Sequence, residues 1–155
     1  MENKNSNRRR GRVLRYAPLI LWIGAVLFAS TGSASMSETS RFIRPLLHFL
    51  FPNSPEETLI TYHGFIRKFA HFAEYAVLSF WAARAFWSSS IKILQKFWFI
   101  FAFFVVFFVA SIDEYNQSFN PARTGSIDDV MLDCAGGLTA ILLLCLYRFS
   151  IRKPL

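Results

Sequence analysis

Hydrophobic residues along this 155-residue chain fall into four long blocks, separated by short stretches that carry most of the charge. The first block is uncharged over 16–33, the third over 97–112 and the fourth over 134–147. Runs of this length match the hydrocarbon thickness of a bilayer, whereas a soluble amphipathic helix returns to polar residues within each turn. The second block, about 65–87, is interrupted by charged or ionisable residues: Arg67, Lys68, His71, Glu74 and Arg84.

This pattern predicts an all-α integral membrane protein with four transmembrane helices, at about 14–33, 65–87, 95–113 and 127–147. The segment between the first two spans, 34–64, is not simply polar. Phe42, Ile43, Leu46 and Leu50 recur at helical spacing there, which predicts a short helix at the outer membrane interface. The predicted membrane domain therefore covers 16–148, between a basic tail at 1–15 and a second tail at 149–155.

Basic residues are distributed unevenly between the two sides of this arrangement. Twelve of the seventeen Lys and Arg lie in the two tails or near the connection between the second and third spans. Since cytoplasmic segments collect Lys and Arg, both termini are predicted to be cytoplasmic. The net charge of +7 accompanies no nucleic-acid-binding motif, so we expect no nucleic-acid partner and take membrane lipids as the partners. An alternative for the first block is a cleaved signal peptide, although 16–33 is long for one.

Ionisable side chains from three predicted spans come to about the same depth, near the outer end of each span. An unpaired charge inside a membrane costs about 2.5 to 3.5 kcal/mol, so these side chains are expected to share one polar pocket. Two alternatives stay open: a purely structural salt-bridge network, and Ser126 serving only to cap the fourth span. The predicted pocket residues are Arg67, Lys68, His71, Glu74, Tyr75, Asp113, Glu114, Gln117, Arg123, Asp129 and Asp133.

Two motifs in this region resemble the VanZ-like family of small bacterial membrane proteins. Residues 67–75 read RKFAHFAEY and resemble that family's Lys-x-x-His-Phe-x-x-Tyr pattern; residues 113–119 read DEYNQSF and lead into PARTGS at 121–126. The chain departs from the family pattern at Ala122, where Gly is usual, and at Asp133, where Asn is usual. The resemblance implies a four-helix protein of the bacterial cytoplasmic membrane acting at the cell envelope. It also implies a link to resistance against the glycopeptide antibiotic teicoplanin.

These observations lead to three hypotheses for function, which differ in the role of the pocket. In the first, the pocket binds an anionic lipid or a lipid-linked cell-wall intermediate; Arg67, Lys68 and Arg123 hold phosphate, and no cofactor is needed. In the second, the protein is an intramembrane hydrolase or transferase. His71 or Glu114 is then the general base, and a divalent cation is bound by carboxylates. The third, a proton-linked transporter, fits poorly because the acids do not continue toward the cytoplasm. Oligomeric state is not predicted.

Overall fold

A computed structural model describes the backbone of residues 2–30, 36–119 and 126–151, and the side chains of 11–30, 41–119 and 126–151. Within these ranges the chain is helical and contains no strand, which confirms the predicted all-α class. The helices are α1 (Glu2–Phe28), α2 (Met36–Leu50), α3 (Glu56–Trp87), α4 (Lys92–Lys96), α5 (Trp98–Ser118) and α6 (Ile127–Ile151).

Three of the described helices are long and apolar enough to cross a membrane: Gly11–Phe28 in α1, Trp98–Ser118 and Ile127–Ile151. The chain is therefore a multi-pass membrane protein. The predicted span at 65–87 lies within α3, which at 32 residues is the longest helix described. Its His71, Glu74 and Arg84 lower the hydropathy of the segment, so a fourth span stays a prediction. A helix is also present where the interfacial helix was expected, and its position at an interface stays a prediction.

Several helices extend beyond their predicted limits. Helix α1 begins at Glu2, so residues 2–15 of the basic segment are continuous with the first span. Helix α5 ends at Ser118 rather than near 113, and α6 continues to Ile151. The extension of α5 matters for the site, because it keeps Glu114 and Gln117 on the same rigid element as Asp113.

Helix α3 lies at the centre of the fold and packs against α6, α5 and α1. Two glycines of α6 allow close helix contacts, Gly136 with α3 and Gly137 with α5. A Cβ added at Gly136 would lie 2.2 Å from the Phe72 carbonyl oxygen, and one at Gly137 would lie 2.7 Å from Val106 Cγ1. About two turns after Phe72 on α3, the Ser79 hydroxyl donates to the Gly137 carbonyl oxygen at 2.9 Å. Small residues that let two backbones approach are typical of helix contacts in membranes.

The opposite end of the bundle is rich in Arg and Trp. Pro18 has no N–H with which to reach the Leu14 carbonyl one turn earlier in α1, and the Arg84 guanidinium on α3 donates to that carbonyl at 3.4 Å. The Arg148 guanidinium of α6 stacks over the Trp87 ring, with its central carbon 4.0 Å from the ring centre. These contacts tie α1, α3 and α6 together at the end predicted to face the cytoplasm.

Candidate functional site

Tyr75 and Asp113 form the most deeply buried polar contact between α3 and α5. The Tyr75 hydroxyl donates to Asp113 Oδ2 at 3.1 Å, and the two residues are 0% and 2% exposed. Asp113 Oδ1 takes no part in this bond. The hydrogen bond therefore fixes the orientation of the carboxylate while leaving one of its oxygens available.

A second contact joins α3 to α6 one turn away. His71 Nδ1 lies 3.7 Å from Asp133 Oδ1, and Asp133 is completely buried. Asp133 lies one turn before Gly136, so the close approach of α6 to α3 at Gly136 also brings Asp133 to His71. His71, Asp113 and Asp133 thus converge from three helices, and each offers a potential ligand atom within 4.8 Å of the other two.

A cavity of about 140 Å³ opens beside this cluster. One part of its wall is apolar and comes from α1, α2, α3 and Ala29 just after α1; the other part is polar and comes from α3, α5 and Ser30. The apolar lining residues are Val26, Ala29, Ile43, Ile66 and Ala70, and the polar ones are Ser30, His63, Arg67, His71, Glu74, Asp113 and Gln117. A space lined in this way suits an amphipathic ligand.

Glu114 does structural work at the start of α6. Its Oε2 accepts a hydrogen bond from the Ser126 backbone N–H at 3.0 Å, and the Ser126 hydroxyl accepts one from the Asp128 N–H at 3.1 Å. Ser126 therefore caps α6, and the alternative that capping is its only role stays a prediction. Glu114 holds the same helix end from α5, and its predicted catalytic role stays a prediction.

Several buried polar atoms of the cluster, four carboxylate oxygens and one amide donor, have no hydrogen-bond partner among the described residues. Within that part of the chain, both Asp133 oxygens, Asp113 Oδ1, Glu114 Oε1 and Gln117 Nε2 are buried without a hydrogen bond. Buried carboxylate oxygens are nearly always hydrogen bonded, paired or bound to a metal. These carboxylate oxygens and the Gln117 amide nitrogen are therefore available to contact a ligand.

The sequence matches a known protein family over most of its length. The sequence model of VanZ/LLP1 matches residues 16–148, most of the chain. The protein belongs to the VanZ/LLP1 family. This confirms the resemblance drawn from the two motifs. No curated protein and no solved structure matches the chain significantly.

The VanZ/LLP1 domain does not bring all the predicted pocket residues together. Arg67, Glu74 and Gln117 lie on the cavity wall with His71 and Asp113. Lys68 is exposed and does not line the cavity, and Asp129 lies half-buried on the first turn of α6. Arg123 is outside the described residues, so its predicted phosphate contact stays a prediction.

Some site residues of this VanZ/LLP1 protein were missed by sequence reasoning. The Ser30 hydroxyl donates to the Asp113 carbonyl oxygen at 3.2 Å, and Trp22 Nε1 donates to the Glu74 carbonyl oxygen at 3.1 Å. His63 lines the cavity; burial, and then the charges of Arg67 and Arg44, lower the pKa of its imidazole. Its position four residues before Arg67 and eight before His71 was a signal for it. Nothing in the hydrophobic pattern of the predicted first span singles out Ser30 or Trp22.

Proposed function

We propose that this VanZ/LLP1 protein binds the phosphate-bearing headgroup of an anionic lipid, or of a lipid-linked cell-wall intermediate, at the outer face of the bacterial cytoplasmic membrane. The observation that carries the proposal is the divided wall of the cavity. Apolar side chains of α1 and α2 face the Arg67 guanidinium and the polar residues of α3 and α5 across one small space. A lipid offers both an acyl or prenyl chain and a charged group to such a wall.

The surroundings of the cavity support a ligand that arrives from the membrane rather than from water. Helix α2 contributes Ile43 to the cavity and turns Phe42 and Phe49 outward, where they are 79% and 82% exposed. These two phenylalanines lie seven residues apart on one helix face, and an apolar face of this kind is stable against acyl chains. The Arg44–Glu56 ion pair connects α2 to the start of α3, beside the cavity.

Arg67 is the residue that we assign to the phosphate. A guanidinium donates to two phosphate oxygens at once and is less strongly hydrated than an ammonium group, so it suits a partly dry site. Glu74 and Gln117, across the cavity, would accept or donate hydrogen bonds to hydroxyl or amino groups of the headgroup. In a cell the pocket would act at the envelope, where glycopeptide antibiotics also act.

The test compares two neighbouring basic residues that differ in their access to the cavity. Arg67→Ala and Lys68→Ala each remove one positive charge from the same turn of α3, but only Arg67 lines the cavity. Lipids that co-purify with each variant are extracted and identified by mass spectrometry. We expect a phosphate-bearing lipid in about equal amounts in wild type and Lys68→Ala, and at least tenfold less in Arg67→Ala. Retention of that lipid by a folded Arg67→Ala variant would contradict the proposal.

A further inference from the structure

Three potential metal ligands meet at one point between the helices. They are His71 on α3, Asp113 on α5 and Asp133 on α6, and one ligating atom of each lies within 4.8 Å of the others. These residues are 42 and 20 positions apart in sequence, so only the packing of three helices brings them together. Helical bundles build metal sites from residues of this kind, which project inward from separate helices.

The atoms left without hydrogen bonds are the ones that a cation would use. Both Asp133 oxygens and Asp113 Oδ1 are buried and accept no hydrogen bond from the described residues. Asp113 Oδ2 is already bonded to the Tyr75 hydroxyl. A buried carboxylate with one oxygen held by a neighbour and the other without a hydrogen-bond partner has the arrangement of a metal ligand with an outer partner.

We propose that His71, Asp113 and Asp133 bind a divalent cation of the Zn²⁺ or Mn²⁺ type. Two carboxylates and a neutral imidazole carry a charge of −2, which one divalent ion neutralises inside a medium where net charge is costly. Metal–ligand distances of about 2.0 to 2.2 Å keep two ligand atoms within about 4.4 Å of each other. The 3.7 Å between His71 and Asp133 fits directly, and the widest separation needs only a small side-chain adjustment.

The mixture of ligand atoms selects between classes of ion. Ca²⁺ and Mg²⁺ prefer sites made wholly of oxygen, whereas imidazole nitrogen favours transition ions. The Tyr75 hydroxyl is assigned a positioning role, because it holds Asp113 without touching the ion. This inference does not depend on lipid binding, since the three ligands are set by helix packing alone.

The experiment uses the full-length protein purified in detergent and stripped with a chelator. ZnCl₂, MnCl₂ and CaCl₂ are titrated separately by calorimetry, and bound metal is counted by mass spectrometry after desalting. We expect one Zn²⁺ or Mn²⁺ per chain and Ca²⁺ binding at least tenfold weaker. Asp133→Asn should weaken the preferred metal by at least a hundredfold. Asp128→Asn, which removes the same charge from an exposed position of α6, should bind as wild type does.

Two further measurements keep the result independent of whether Asp133→Asn folds. Tyr75→Phe keeps all three ligands and loses only the bond that orients Asp113, so we expect binding ten to a hundred times weaker. Saturating metal should raise the melting temperature of wild type and of Asp128→Asn, because the ion binds the folded state. Failure of wild type to bind one ion per chain, or unchanged binding by both Asp133→Asn and Tyr75→Phe, would overturn the proposal.

Discussion

The backbone of Phe72 on α3 and the backbone of Gly136 on α6 touch with no side chain between them. A Cβ at Gly136 would lie 2.2 Å from the Phe72 carbonyl oxygen and 3.0 Å from the carbonyl carbon. Phe72 follows His71 directly, and Gly136 comes one turn after Asp133. The distance between the two helices at this point therefore sets the distance between the imidazole and the carboxylate.

Gly136→Ala is expected to destabilise the fold. The obstructing atoms belong to backbone and cannot rotate away, so the two helices must separate, at a cost of about 1 to 3 kcal/mol. Thermal unfolding in detergent measures the change as a lower melting temperature. Gly64→Ala on α3 is the control, since nothing lies within 4 Å of its added Cβ. Alanine favours helix over glycine there by up to about 1 kcal/mol, so that variant should be as stable as wild type or more stable. Equal melting temperatures for the two variants would count against the close contact.

The number of spans can be read from the positions of the chain ends. With four spans, including α3, both termini lie on the cytoplasmic side and the connection near Asn53 lies outside. With only the three apolar helices spanning, the termini would lie on opposite sides. Alkaline phosphatase, which is active only outside the cytoplasm, is fused after Asn53 or at the C-terminus. We expect activity from the first fusion and none from the second; activity from the C-terminal fusion would exclude four spans with a cytoplasmic N-terminus.

His63 is expected to make stability depend on pH. Burial and the nearby Arg67 and Arg44 lower the pKa of His63 below 6.5, so the folded protein favours the neutral imidazole. The unfolded chain then binds more protons as the pH falls below about 6.5, and the folded state loses stability. Above that pH the residue contributes no pH dependence. The melting temperature of wild type should therefore fall more steeply between pH 7 and pH 5 than that of His63→Gln. Parallel curves for the two proteins would refute this assignment.

Periodicity along single helices was enough to predict much of the candidate site. His71 and Tyr75 lie one turn apart, as do Asp129 and Asp133, and charges near the end of a span have a strong reason to pair. The existence of a shared cluster therefore follows from the residues and the cost of burying them. The same reasoning found the helices themselves, because uncharged runs such as 97–112 leave few other structures open.

The rotation of one helix against its neighbours could not be predicted in this way. Both Arg67 and Lys68 share a helix face with His71, and only the packing of α3 against α1 and α2 turns Arg67 toward the cavity. Ser30 and Trp22 join the site through hydrogen bonds to backbone carbonyls, which no side-chain pattern records. Hydropathy alone does not decide whether α3 spans the membrane, for a related reason. Its polar residues contact residues that are distant in sequence, such as Asp113 and Asp133.

The contacts of α3 with residues distant in sequence also affect how the bundle assembles during synthesis. Synthesis proceeds from the N-terminus, so α3 leaves the ribosome before α5 and α6 do. At that moment Tyr75 and His71 lack Asp113 and Asp133, and the polar side of α3 has only water or translocation machinery to face. Helix α6, which is synthesised after α3 and α5, thus completes the surroundings of α3, and the order of translation becomes part of how the bundle assembles.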